Sequence, residues 1–394
     1  TSITDGTVVG VAVDFDGGTV TFYKNGTSLG DFSYTFDSQY HYTPAASYGQ
    51  SVTPAPDVYL NCGQLGFTYT PPTDYLALST ANLPEPSITP LDDEVPEDYF
   101  NTRLYAGNGS TQSITGVGFQ PDWTWLKSRT TDNGHLVFDS VRGSGSNGLF
   151  YLLPNRDFTE GNEAIVTSLD SDGFTLGNNN DASNGSGRNY VSWNWKTGST
   201  AVSNTDGSIT SSVSANTKSG FSIVTYTGNS SSTATVGHGL GVAPKVVVIR
   251  RRNATDNWQV SVSNITGTTG DRVYFNLTQG ISTDTTREPT KPSSSVITIG
   301  GNDNTNGGTY VAYCFASIEG YSKIDSYTGN GNANGTFVYT GFRPAWIVWK
   351  RNANASWHIQ DNKRNTYNVA DKLLYVNATA SEATNASMDF LSNG

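Results

Sequence analysis

Tyr105-Ala106-Gly107-Asn108-Gly109 is followed by Gly118-Phe119-Gln120-Pro121-Asp122-Trp123-Thr124-Trp125-Leu126-Lys127. The same phrase returns as Tyr226-Thr227-Gly228-Asn229-Ser230 and Gly241-Val242-Ala243-Pro244-Lys245-Val246-Val247-Val248-Ile249-Arg250. It returns again as Tyr327-Thr328-Gly329-Asn330-Gly331 and Gly341-Phe342-Arg343-Pro344-Ala345-Trp346-Ile347-Val348-Trp349-Lys350. The copies start 121 and 101 residues apart. Proline opens a strand but does not sit inside one, so Pro121, Pro244 and Pro344 mark strand starts. The β-branched and aromatic runs behind them are strands that end on a basic residue. A unit of this size owns a core, so the expectation is beads on a string, each closed around its own aromatic centre.

Further landmarks extend the repeat. Asn133-Gly134-His135-Leu136-Val137, Asn257-Trp258-Gln259-Val260 and Ser356-Trp357-His358-Ile359 occupy one place, with Gln259 standing against His135 and His358. Ser171-Asp172-Gly173-Phe174-Thr175-Leu176-Gly177 has a weaker counterpart in Val296-Ile297-Thr298-Ile299-Gly300. The closing strands read Asn189-Tyr190-Val191-Ser192-Trp193-Asn194-Trp195 and Thr309-Tyr310-Val311-Ala312-Tyr313-Cys314-Phe315. The third copy reaches Gly394 without such a strand, so the polypeptide is expected to continue.

Composition agrees with strands. Charged residues are 14%, against the usual quarter, and aromatics are 12%. No stretch of good helix formers shows helical spacing. The fold class is therefore all-β, a multi-domain string of antiparallel β-sandwich modules. The expected divisions are a first module at 1–72, a Pro- and acid-rich linker at 73–99, repeat 1 at 100–198, a Ser/Thr-rich linker at 199–219, repeat 2 at 220–320 and repeat 3 at 321–394.

A net charge of −11 argues against a nucleic-acid or anionic-membrane partner. The one basic run, Arg250-Arg251-Arg252, reads as a solvated strand end. No run of 18 apolar residues exists, so no membrane-spanning helix is expected. Cys62 and Cys314 lie in different modules and read as buried free thiols.

The first module alternates as a half-buried sheet: Thr7–Phe15, a turn at Asp16-Gly17-Gly18, Thr19–Tyr23, and a second turn at Asn25-Gly26. Its succession Gly10-Val11-Ala12-Val13-Asp14, Phe22-Tyr23-Lys24-Asn25-Gly26, Tyr42-Thr43-Pro44-Ala45, Leu60-Asn61-Cys62-Gly63-Gln64, Phe67 and Tyr69 resembles the second half of a SPRY domain. That resemblance implies a jelly-roll-type sandwich that binds partners through loops and has no catalytic apparatus. The module opens partway through that family's pattern.

The repeat phrases, together with the module before them, resemble tandem β-domains of virion and tail-fibre proteins of tailed, especially marine, bacteriophages. The resemblance implies a structural virion protein at the particle surface: a tail fibre or appendage presenting loops for attachment to a host glycan or protein. It implies other virion proteins as partners and self-association, often threefold in fibres. A capsid-decorating or head-fibre protein, a secreted bacterial adhesin or carbohydrate-binding protein, and a depolymerase remain as alternatives.

Chemistry is sparse. His41, His135, His238 and His358 are the only histidines, and an acid–base catalyst does not tolerate the Gln259 replacement. No nucleophile elbow is present, and Gly143-Ser144-Gly145-Ser146-Asn147-Gly148 lacks a P-loop lysine and reads as a flexible loop. Asp14 with Asp16 and Asp170 with Asp172 supply two ligands each where calcium needs at least about six, so they read as turns. No cofactor, metal site or catalytic residue is expected. Asn264-Ile265-Thr266 and Asn276-Leu277-Thr278 match glycosylation acceptors through composition. Binding rests on aromatics: Trp123, Trp125, Trp193, Trp195, Trp258, Trp346, Trp349 and Trp357 are the candidate platforms for a sugar face, set against core filling.

Overall fold

The repeat phrases fold as strands in a computed structural model, which describes residues 3–36, 42, 44–45, 58–78, 82, 86–178, 180–198, 200–262, 271–283 and 292–394, without the side chains of 385–387. His41, Thr43, Ala46-Ser47-Tyr48 and the Asn264-Ile265-Thr266 triplet lie outside the described residues. The chain is all-β, with antiparallel sheets and short 3-10 turns. Among the described residues no helix is long and apolar enough to cross a membrane. The chain divides into Thr1–Glu85 and Pro86–Gly394.

In the first unit, β1 (Val9–Asp14), β2 (Thr19–Lys24) and β3 (Thr27–Ser33) form a meander. Both turns are where the sequence puts them. Gly18 closes the first with φ 65°, and Asn25 (φ 48°) with Gly26 (φ 78°) closes the second as two left-handed residues.

In the second unit repeats 1 and 2 are sandwiches of two sheets, and repeat 3 contributes one sheet among the described residues. Repeat 1 comprises β4 (Phe100–Ala106), β5 (Gln112–Thr115), β6 (Trp123–Ser128), β7 (Leu136–Asp139), β8 (Tyr151–Leu152), β9 (Val166–Asp170), β10 (Gly173–Leu176) and β11 (Asn189–Trp195). Its large sheet runs β4-β11-β6-β7-β8 and its small sheet β5-β10-β9. Repeat 2 comprises β12 (Val202–Asn204), β13 (Ser211–Asn216), β14 (Phe221–Thr227), β15 (Ala234–Gly237), β16 (Val246–Arg251), β17 (Gln259–Val262), β18 (Asp271–Tyr274), β19 (Ser282–Thr283), β20 (Val296–Ile299) and β21 (Thr309–Phe315). Its large sheet runs β12-β13-β14-β21-β16-β17-β18-β19, with β15-β20 opposite. Repeat 3 comprises β22 (Trp346–Trp349), β23 (His358–Asp361), β24 (Ala370–Tyr375) and β25 (Ala383–Met388), paired in that order.

Two expected linkers are structured. Residues 199–219 carry β12 and β13, and β13 pairs with β14 from Ser212↔Thr225 to Asn216↔Phe221. Alternating Ser and Thr favour a strand that has one wet face, which a composition reading mistakes for a linker. The end of the acidic arm packs onto the second unit: Ile88 and Thr89 are buried, and Glu94 pairs with Lys218 at 2.8 Å.

The larger correction concerns the beads. Each large sheet is apolar on both faces. In repeat 1, Leu126 on β6 faces the sandwich's own core with Leu136, Phe138 and Phe174. Trp123 and Trp125, two apart and so on the opposite face, enter a different cluster. That cluster also takes Trp193 and Trp195, then Phe221, Trp258 and Tyr313 from repeat 2, then Trp357, Ile359 and Leu374 from repeat 3. The sandwiches exist, but their second faces merge into one aromatic core. Burial on both faces is why β6 is buried at every position and β11 at all but its first, with polar members such as Thr124 and Asn194 bonded to each other.

Candidate functional site

In repeats 1 and 2 the Tyr-x-Gly-Asn phrase is a structural lock. Tyr105 stacks on Tyr190 with ring centroids 5.2 Å apart, and Tyr226 stacks on Tyr310 at 5.0 Å. The Tyr105 hydroxyl donates to the Ser183 carbonyl, and that of Tyr226 to the Asp303 carbonyl. The glycine is demanded by space: a Cβ on Gly107 would strike the Gly185 carbonyl, and one on Gly228 the Thr305 carbonyl. Buried Asn184 and Asn304 complete the lock by accepting from the backbone of Asn108 and Asn229. The sequence signal for these two partners is weak, because they sit in Asn-rich stretches.

The basic residues that end the strands join one repeat to another. Arg250 donates to the carbonyls of Asp157 and Phe158 in repeat 1. Lys350 Nζ donates to Thr278 O in repeat 2 at 3.1 Å, and Lys127 Nζ to Thr379 O in repeat 3 at 3.1 Å. Arg250 is thus fully buried rather than a solvated strand end. Burial drives its pKa down to about 10 and that of Lys127 down to about 8.

Two more sets of bonds repeat the same cycle. The backbone N–H of Glu160 donates to Arg252 O, that of Ile281 to Asn352 O and that of Glu382 to Arg129 O, each at 2.9 Å. Trp258 Nε1 donates to Leu153 O at 2.8 Å, Trp357 Nε1 to Tyr274 O at 2.7 Å, and His135 Nε2 to Tyr375 O at 2.9 Å. Repeat 1 is bonded to 2, 2 to 3, and 3 to 1. The second unit is a closed ring with approximate threefold symmetry.

The ring corrects the expected alignment by one residue. His135 matches Trp258 and Trp357, while Gln259 and His358 begin their strands as Leu136 does. The Trp125 indole donates to His135 Nδ1 at 2.8 Å, so Nε2 carries the proton. Burial, followed by the positive field of Lys127, holds the His135 pKa well below its usual value, and the ring is neutral.

Among the described residues, two of the three seams also carry an ionic bridge. Asp139 holds Arg142, Arg142 reaches Glu160 at 3.0 Å, and Glu160 reaches Arg252 of repeat 2 at 2.8 Å. Asp361, Arg364, Glu382 and Arg129 repeat this between repeats 3 and 1. The acids also take an aromatic donor from the neighbour: Tyr313 on Asp139 at 2.7 Å and Trp193 on Asp361 at 3.1 Å.

These contacts consume the candidate platforms. Trp123, Trp125, Trp193, Trp195, Trp258 and Trp357 are buried in the shared core, and Trp346 and Trp349 are half-buried on β22. No sugar face can reach the six buried indoles. Of the other candidates, Asp172 accepts from the N–H groups of Gly116 and Gly118, and Asp170 from Ser168 and Thr175, as turn acids do. The Gly143–Gly148 loop is a tight turn clamped by Asn162, not a flexible one. Cys314 is buried, with its pKa pushed up to about 12, whereas Cys62 is half-buried. Among the described residues no three His, Cys, Asp or Glu side chains gather as a metal site.

One open groove of about 420 Å³ lies on repeat 2. Ser203, Ser212 and Thr225 stand in register across β12, β13 and β14, and Thr227 stands opposite Thr309. Along β14 the face that buries Phe221 and Ile223 in the shared core turns to hydroxyls at Thr225 and Thr227. Arg252 closes the groove, steered by Glu160. The sequence signal was there, as alternating Ser and Thr on strands that pair in register.

Fold and site together define a closed ring of three β repeats, joined by main-chain bonds and a shared aromatic core. Residues 95–394 match the family described as Domain of unknown function (DUF7483), and the chain belongs to that family. Residues 1–54 match the SPRY domain. No curated protein and no solved structure matches the chain.

Proposed function

We propose that the chain is a structural protein of a tailed-bacteriophage virion, a tail fibre or related appendage that presents loops to the host surface. The observation that carries this reading is the ring itself. Its buried aromatic and charged groups are spent on joining repeats, as the Trp258, Trp357 and His135 bonds exemplify, which suits a rigid presenting body rather than a reactive pocket. The resemblance of the repeat phrases to tailed-phage virion proteins supports the setting. In this reading the protein works without catalysis at the particle surface, its partners are other virion proteins and further copies of itself, and weak contacts add by avidity. The test is electron cryomicroscopy of virions labelled with antibody to residues 86–394. Label on the tail or its fibres is expected. Label on the head would move the protein to capsid decoration, and unlabelled particles would end the virion reading.

The groove favours a second, compatible reading: a host glycan as the thing touched. Hydroxyls in register offer both donors and acceptors to sugar hydroxyls, and the low charge suits a neutral polymer. Glycan-array binding that disappears in Thr225→Val/Thr227→Val would support it. Binding that survives this change would move the glycan elsewhere.

A further inference from the structure

Hydroxyls line the groove on repeat 2, and the protein leaves them unused. Among the described residues, Ser203, Thr210, Ser212, Thr225, Thr227 and Thr309 make no side-chain hydrogen bond. Their neighbours on β13 do: Ser211 donates to Gly237 O, and Ser214 bonds Thr197. Beneath the groove β13, β14 and β21 are each paired on both sides, so the floor offers side chains and no open backbone ladder. The sister repeat shows that the ring does not need this face. Tyr105 matches Tyr226, so Leu104 and Ala106 stand where repeat 2 has Thr225 and Thr227. Strand β4 is the edge of its sheet, whereas β14 is extended by β13 and β12. The hydroxyls and the extra strands are additions of repeat 2 that repeat 1 lacks.

The geometry points to an extended, uncharged, β-1,4-linked glycan lying across the strands of this groove, one sugar ring to a strand, an inference that rests on the glycan reading given above. Two rows of polar side chains cross the sheet. One is Ser203, Ser212 and Thr225, paired across β12, β13 and β14. The other lies two residues further along β14. There Thr227 pairs with Thr309, and the Arg252 N–H bonds Thr309 O. Strand alternation puts Thr210 beside Thr227 on the same face. Neighbouring strands are about 4.8 Å apart, so this second row offers a polar group at each step over about 14 Å. That step is close to the rise of one ring in a β-1,4-linked chain, which stays extended because equatorial bonds join its rings. An α-1,4-linked chain coils and leaves a straight row after a short contact. Serine and threonine hydroxyls donate and accept, as sugar hydroxyls do.

Charge sets the other half of the specificity. Arg252 is the charged residue in the groove's lining, and Glu160 accepts from its Nε and Nη2. Glu160 also holds Arg142, which holds Asp139, so two cations and two anions balance. A sugar carboxylate arriving at Arg252 is an unbalanced anion beside Glu160, and like charges brought together are costly. A neutral hydroxyl accepts from the same guanidinium without that repulsion. Arg252 is therefore a specificity-determining residue, held by Glu160 in a form that prefers neutral sugars to acidic ones.

The test titrates the full chain with neutral β-1,4-linked di- to hexasaccharides of the gluco, manno and N-acetylglucosamine series, beside maltohexaose and a β-1,4-linked glucuronic acid hexamer. At least one neutral series should bind at a single site per chain. Its tetrasaccharide should bind about tenfold tighter than its disaccharide, with no further gain at the hexasaccharide. Maltohexaose and the glucuronic acid hexamer should each bind about tenfold more weakly than the neutral β-linked hexasaccharide. Thr225→Val/Thr227→Val should remove binding, and Glu160→Gln should raise the affinity for the glucuronic acid hexamer by about tenfold. Binding that the threonine variant abolishes, but that ignores length, linkage or charge, would overturn this inference and leave the groove a glycan site. No binding of any oligosaccharide, or binding that survives the threonine variant, would remove the groove as a glycan site and this inference with it.

Discussion

The seam between repeats 1 and 2 and the seam between repeats 2 and 3 share a backbone and differ in chemistry. In the first, Glu160 N–H meets Arg252 O, and the two side chains form part of a four-residue ionic bridge. In the second, Ile281 N–H meets Asn352 O at the same 2.9 Å, and neither side chain is charged. The indole bond to a neighbouring carbonyl is present in both, through Trp258 and Trp357. What is common to the seams is therefore main-chain bonding and aromatic burial; the ions are an addition. Burying a charged network gains little over apolar packing, yet removing one partner from it is expensive.

The comparison breaks most readily at the aromatic core. Trp125→Ala empties the centre shared by all repeats and strips a donor from His135. A loss of about 3–5 kcal/mol is expected, with residues 86–394 unfolding in one calorimetric transition. Separate transitions, with repeats 2 and 3 melting as in the parent, would show that the core is not shared energetically. Next comes Glu160→Gln, which leaves Arg142 and Arg252 without their carboxylate. It should cost about 1.5–3 kcal/mol in chemical denaturation. No change in the denaturation midpoint would make the bridge ornamental even where it exists.

Much of this was legible in the sequence and some was not, for identifiable reasons. The strands after Pro121, Pro244 and Pro344, the closing strands at Asn189 and Thr309, and the turns at Gly18 and Asn25-Gly26 follow from local chemistry, and all are present. The beads failed because period-2 alternation tells which residues share a face but not what covers that face. Trp123 and Trp125 read as core filling ahead of a sugar platform, and nothing local separates a private core from one shared between repeats. The basic strand ends failed for a related reason. Lys127 and Arg250 are buried against carbonyls from residues 92 to 252 positions away, a partnership no local pattern carries. The hydroxyl groove needed the register of β12, β13 and β14, which the 199–219 linker reading had removed.

A smaller effect distinguishes the seam between repeats 3 and 1, where His135 takes the place of tryptophan. Its folded pKa lies well below the unfolded value, chiefly through burial, with Lys127 and Arg364 adding positive field. The unfolded chain therefore binds a proton that the folded chain refuses. Stability is complete above pH about 6.5 and falls as the pH drops through that value, by up to about 1.4 kcal/mol per pH unit. His238 and His358 are shifted in the same direction, so they share the slope. His135→Gln keeps an acceptor for Trp125 and a donor for Tyr375 O while removing the titration. Melting scans from pH 7.5 to 5 should show a shallower acid loss in this variant. An unchanged slope would assign the acid sensitivity to the other histidines.

The smallest effect is the sharpest test of what the seams teach. Ile281→Glu with Asn352→Arg installs between repeats 2 and 3 the ion pair that the other seams contain, at positions already bridged by the same backbone bond. If main chain and aromatics hold the ring, the double variant should sit within about 1 kcal/mol of the parent, because the Coulomb gain offsets little more than the desolvation it requires. Repeat 2 also has Val262 where Asp139 and Asp361 anchor the arginine of the other bridges, so the new pair would lack its buried half. Each single variant is needed beside the double to extract the coupling. A coupling above about 2 kcal/mol would mean that charge, rather than shared aromatic burial, sets the strength of these seams.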